Sequence, residues 1–209
     1  MKKFILSFAV VMITAASFSQ VKVRPGIRTG LNLSTVTDLN NSSRKIGVNG
    51  AIFVNLRLGG FYELQPEFTY SNQGWSQDFP NIEPYNDPIY QNNNNDDVSV
   101  HYIGMAVTNK FYFVPKIGLH FIIGPSIEVN VSDNLYYDDL TPVDFALFGG
   151  LGYEFPIGLG IEARYKQGLI DVRDGYYDYY FDDNNNDYYN GSNKLNSVFQ
   201  FNVYYKFGW

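Results

Sequence analysis

From Val21 onward the chain alternates. Over residues 21–34 the odd positions are Val21, Val23, Pro25, Ile27, Thr29, Leu31 and Leu33, and the even ones are Lys22, Arg24, Gly26, Arg28, Gly30, Asn32 and Ser34. A period of two sends successive side chains to opposite faces of a strand, so one apolar and one polar or small face is predicted. The pattern recurs from Ile46 (apolar Ile46, Val48, Ile52, Val54, Leu56 and Leu58) and from Tyr62 (Tyr62, Leu64, Pro66, Phe68 and Tyr70, against Glu63, Gln65, Glu67 and Thr69). It returns from Ile117, from Leu159 and from Leu195. Two more segments, about 98–113 and 143–153, are strand-like with apolar residues on both faces. Eight strands of roughly 10 to 14 residues are predicted, with no helical spacing beyond the N-terminal segment.

The connections alternate too. Strands two and three join through Gly59-Gly60, four and five near Pro115-Lys116, and six and seven near Pro156-Ile157-Gly158, all tight-turn compositions. The other four connections, about 34–45, 74–97, 132–141 and 170–194, are longer and polar. Minimal turns at one end and long loops at the other describe a meander. An open meander leaves two unpaired edges, so the expected fold class is all-β, an eight-stranded antiparallel up-and-down barrel.

A barrel can bury its apolar face or show it to lipid. Roughly 40 apolar side chains would overfill an eight-stranded interior, which is only just wide enough for side chains. The polar face is rich in glycine (Gly26, Gly30, Gly47, Gly118, Gly124 and Gly160), which suits a cramped lumen. Aromatic residues toward strand ends (Tyr62, Tyr70, Tyr205 and Phe207, with Trp75 and Trp209 just beyond) sit where interfacial girdles belong. The expectation is therefore a transmembrane barrel with short periplasmic turns and long extracellular loops. An even strand number puts both termini on the periplasmic side. A soluble ligand-carrying barrel, apolar face inward, is the alternative.

Composition adds a leader and removes function classes. Met1-Lys2-Lys3, an apolar run from Phe4 to about Phe18, and Ser17-Phe18-Ser19 form a signal-peptide pattern with a cut after Ser19. Residues 1–19 are thus expected to be removed and 20–209 to form a single barrel domain. The absence of cysteine excludes a disulfide scaffold, a zinc-thiolate site, a lipoprotein anchor and cysteine catalysis. A formal net charge of −6 argues against nucleic acid as a partner.

Several strings resemble the PorT-like outer-membrane β-barrel family of Gram-negative bacteria. They are Gly26-Ile27-Arg28-Thr29-Gly30-Leu31-Asn32-Leu33-Ser34, and Leu64-Gln65-Pro66-Glu67-Phe68-Thr69-Tyr70-Ser71 with Gly74 after it. Gly124-Pro125, Gly150-Leu151-Gly152-Tyr153-Glu154-Phe155 and the run from Ile161 to Leu169 are similar to later strands of the family. Strand four departs, with Gly104 and Ala106 where the family commonly has an acidic residue and a proline, although Lys110 is retained. The resemblance implies an outer-membrane barrel. Its founding member takes part in protein secretion, a role that a likeness of fold does not transfer.

Candidate chemistry is sparse. Glu63, Glu67, Glu128, Glu154 and Glu162 share the polar face with Arg24, Arg28, Arg57, Arg164 and Lys166. One reading is a proton path or an acid/base pair. The other is a structural lumenal network, chiefly Arg28, Arg57, Glu63, Glu67, Glu162 and Arg164, because buried charges are costly unless paired. His101 and His120 are the only histidines, and strand geometry holds them some 30 Å apart, about ten residues at roughly 3.4 Å each. Asp183, Asn185 and Asp187 have calcium-like spacing but lack the glycine and closing glutamate of an EF-hand. Loop tyrosines, among them Tyr136, Tyr137, Tyr176, Tyr177, Tyr179 and Tyr180, lie among Asn and Asp, the composition of an adaptable binding surface. No enzyme activity, cofactor or metal is expected. The preferred role is a barrel acting through its extracellular loops, or as a subunit of an envelope or secretion complex, inserted by the barrel-assembly machinery that reads its terminal aromatic. The alternatives are a small-solute channel, which needs unpaired lumen charges or an extra hairpin from 74–97 or 170–194, and a lipid-modifying enzyme.

Overall fold

The computed structural model describes residues 21–37, 42–77, 97–114, 117–135, 140–172, 180–181, 187–188 and 193–208. Ten strands follow in chain order: β1 (Lys22–Val36), β2 (Ser42–Arg57), β3 (Tyr62–Gln77), β4 (Asp97–Val114), β5 (Leu119–Asp133), β6 (Val143–Glu154), β7 (Leu159–Asp171), β8 (Tyr180–Phe181), β9 (Asp187–Tyr188) and β10 (Leu195–Lys206). Eight of them close into a barrel in the order β1-β10-β7-β6-β5-β4-β3-β2, every neighbour antiparallel. The seam is made by the first and last strands, paired from Gly26–Lys206 to Val36–Asn196. Past it, the Phe207 N–H donates to the Pro25 carbonyl at 2.8 Å. The short strands β8 and β9 pair with each other, so the hairpin within 170–194 does not widen the wall.

Period-two patterning decides which way each side chain points. Phe68 and Phe201 are 54% and 53% exposed on the outside, whereas Glu67 between its apolar neighbours is 4% exposed within. Three connections are minimal, residues 58–61, 115–118 and 155–158, and they share one end, called here the turn end. Gly118 belongs to the second of these turns at φ 85°, not to the lumen wall where its parity had put it. Gly160 does belong there: a Cβ would come within 2.1 Å of the Tyr204 ring.

The eight wall strands run 12 to 18 residues; β1 to β5 exceed the expected 14, and in β1, β2 and β3 the excess lies at the loop end. Because β1 continues to Val36 and β2 starts at Ser42, the connection expected over 34–45 shrinks to residues 37–41. Ser and Thr carry these extensions (Ser34, Thr35, Ser42, Ser43), and they form ladder pairs without an apolar face to reveal them. The β2–β3 register shifts between Arg44 and Asn49. Asn32 of β1 covers that break from inside, its Nδ2 donating to the Asn72 carbonyl at 2.8 Å and to Ser71 Oγ at 2.9 Å.

Candidate functional site

The inward faces of all eight strands meet in a lumen that carries nearly balanced charge. Among the described residues, six carboxylates (Glu63, Glu67, Glu128, Asp144, Glu154, Glu162) and six cations (Arg28, Lys45, Lys110, Arg164, Lys166, Lys206) line it. Near the turn end, Lys206 Nζ lies 2.6 Å from both Glu63 and Glu154. The Tyr112 and Tyr204 hydroxyls donate to Glu154, and Tyr112 also donates to Glu63 at 2.9 Å. Arg57 sits at the rim, half-buried, 3.4 Å from Glu63.

The middle of the lumen is bridged by Arg164. Its guanidinium reaches Glu162 at 2.6 Å and Glu67 at 3.1 Å. Arg28 pairs with Glu67 at 2.7 Å, Lys110 with Glu162 at 2.5 Å, and Thr108 donates to Glu67. Toward the loops, Lys166 pairs with Glu128 at 2.6 Å, and Lys45 donates to Asn72 Oδ1. Burial makes these groups expensive to desolvate, and pairing Glu63, Glu67, Glu128, Glu154 and Glu162 with cations offsets that cost, while Asp144 accepts from the Asn196 amide at 2.9 Å. A cavity of about 20 Å³ among Arg28, Ser126, Glu128 and Arg164 has room for about one water.

An apolar layer caps this polar column at the loop end. Val36, Trp75 and Val172 are buried together, with Val98, Leu135 and Leu140 packed against them. This corrects the place expected for Trp75. It is not in the outer girdle: it shares the inward parity of Glu67 and Gln73 and closes the mouth.

All six residues of the expected network are therefore brought to one lumen. Sequence reasoning missed most of the lysines. Lys206 had the parity of Gln200 and Asn202, a readable signal, while Lys110 lay in β4, where both faces are apolar and parity is hidden. The histidines share no partner. His101 meets the Tyr70 hydroxyl at 2.8 Å and Asn72, while His120 is fully buried, its Nδ1 3.0 Å from the Gly118 carbonyl and its Nε2 3.8 Å from Glu162. Among the described residues no cluster of His, Cys, Asp or Glu could hold a metal ion. Tyr136, Tyr137, Tyr176, Tyr177, Tyr179, Asp183 and Asn185 lie outside the described residues, and Tyr180 is placed only by its backbone in β8.

Residues 18–174 match the family model described as outer membrane protein beta-barrel domain. The chain belongs to that family. It is an integral outer-membrane barrel, and the exposed apolar wall is its lipid face. Among solved structures it is similar to Neisserial surface protein A (NspA), at 12% identity over 90% of this chain and 100% of that one, TM-score 0.51. It is also similar to Ail, the attachment invasion locus protein of Yersinia pestis, at 12% identity over 89% and 99%, TM-score 0.46. Comparison with curated proteins finds no match. At such identities the likeness concerns fold alone.

Proposed function

We propose that the protein is a closed, non-enzymatic barrel of a Gram-negative outer membrane, exported with a signal peptide over residues 1–19. It acts through its loop end, or as a small subunit of an envelope or secretion complex of the PorT-like kind. Its termini face the periplasm, its loops face outward, and the barrel-assembly machinery inserts it.

The observation that carries this reading is the filled lumen. Solutes need a continuous wet path, and here the column is occupied by Arg164 bound between Glu67 and Glu162, with Trp75, Val36 and Val172 above it. A charge network whose carboxylates are paired with cations is also a poor acid/base device, because the lumenal cavity beside Glu128, about 20 Å³, has no room for a substrate. Planar-bilayer recording of the purified barrel is expected to give no stable open level, and steady single-barrel conductance overturns the closed reading. Mild-detergent affinity isolation from native membranes tests the second half. A stoichiometric envelope protein is expected, and recovery of the barrel alone removes the subunit role.

A further inference from the structure

We infer that the turn end of the barrel is a seat for an anionic phospholipid surface, with the turns lying in the headgroup layer rather than in water. This goes beyond the outer-membrane reading by fixing depth and lipid chemistry. The first observation is how the apolar band ends. On β2 the outward side chains stay apolar from Ile46 to Leu58, with Gly50 between, and on β3 from Tyr62 to Tyr70. At the turn end the band runs straight into the turns, where Phe61, Ile117 and Ile157 are 64%, 55% and 63% exposed. Among the described residues, no polar collar separates band from turn. At the loop end there is one: Arg44 and Ser42 follow Ile46 on β2, and Asn72 and Ser76 follow Tyr70 on β3.

Length agrees. About 9 to 11 residues cross the hydrocarbon, and β3 has 16. The surplus, residues 71–77, is polar on its outward side, so β3 overruns the membrane on the loop side. Its other end stops at the interface.

Charge is the second observation. At the rim of the turn end, the described residues carry Lys22, Arg24 and Arg57, the last also 3.4 Å from lumenal Glu63, and no carboxylate lies outside the lumen there. Of the 21 Asp and Glu in the chain, six are lumenal, and the remaining 15 fall in residues 38, 78–97, 133–139 and 171–187. Arg57 donates to the Gly59 and Gly60 carbonyls, both at 3.3 Å, which lays a cation along the first turn. Cations above an apolar ring complement phosphate groups above acyl chains. The apolar tips come from all three turns and continue the lipid-facing band, which favours a lipid surface over a protein that would have to meet the whole circumference.

The chain has no cysteine, so single-cysteine labelling is clean. Ile157→Cys and, in a second chain, Phe61→Cys are labelled with a small fluorophore and reconstituted in phosphatidylcholine vesicles with or without phosphatidylglycerol. Phe201→Cys, mid-band, is the reference. The turn labels are expected to be quenched by nitroxide lipids and protected from aqueous iodide. Brominated phosphatidylglycerol should quench them more than brominated phosphatidylcholine, with local enrichment of about fivefold per cation. Lys22→Gln with Arg24→Gln should cut that preference to what Arg57 alone supplies, about fivefold. Iodide quenching at both turn labels, with Phe201 still lipid-quenched, gives the turn end to water or to a protein and overturns the seat alone. Equal quenching by the two brominated lipids overturns its anionic character. Iodide quenching at Phe201 overturns the membrane placement itself.

Discussion

Replacing Arg164 with Met is expected to lower the unfolding free energy by about 3–5 kcal/mol, the cost of leaving buried charge without its partner. Arg164 is 3% exposed and holds two carboxylates at once, Glu162 at 2.6 Å and Glu67 at 3.1 Å. Met fills a similar volume, so the loss reports charge rather than a cavity. Arg164→Lys keeps the charge and gives up the planar fork, and it should cost less than Met. Urea titration in lipid vesicles, read by the mobility difference between folded and unfolded protein, measures both. A change below about 1 kcal/mol for Met, within the range of exposed ion pairs, would falsify the claim that this bridge is desolvated.

Phe201→Arg should cost about 2–4 kcal/mol in the same titration, because it places a cation on the lipid face near mid-band. Thr35→Arg supplies the comparison. Thr35 lies on the same outward face, but beyond the apolar band toward the loops, paired with Ser197. There the cost should fall to about 0–1 kcal/mol. Equal penalties at the two positions would mean that the exposed apolar wall is not in hydrocarbon.

The barrel was legible wherever one face was uniformly greasy. In β1 and β2, and in β10 from Val198 onward, buried and exposed positions alternate, and the outward set is apolar over most of its length. In β4 and β6 it blurs, because Tyr102, Ala106, Tyr112, Ala146 and Phe148 face inward. Two of the lumenal rings serve as cation seats: Lys110 Nζ lies 4.0 Å from the Tyr204 ring centroid and the Arg164 guanidinium 5.1 Å from that of Phe148. A lumen that uses aromatic rings as polar partners looks like a core from the sequence, and Lys110 was hidden for that reason. Which residues would be lumenal was readable outside β4 and β6. Who pairs with whom was not, since Glu67 and Arg164 are 97 residues apart and meet only because the wall curves fully round. Trp75 failed differently: an aromatic near a strand end suits either a girdle or a cap, and only parity counted through Gly74 decides between them.

That the final strand fastens to the first has a bearing on what an incomplete molecule can be. A chain ended before Leu195 loses far more than twelve residues of wall. It exposes the backbone edges of both β1 and β7 to a solvent that offers no hydrogen bonds, at several kcal/mol for every amide or carbonyl left bare. Completion is therefore all-or-nothing, and nothing shorter than the intact circle is a smaller version of this protein.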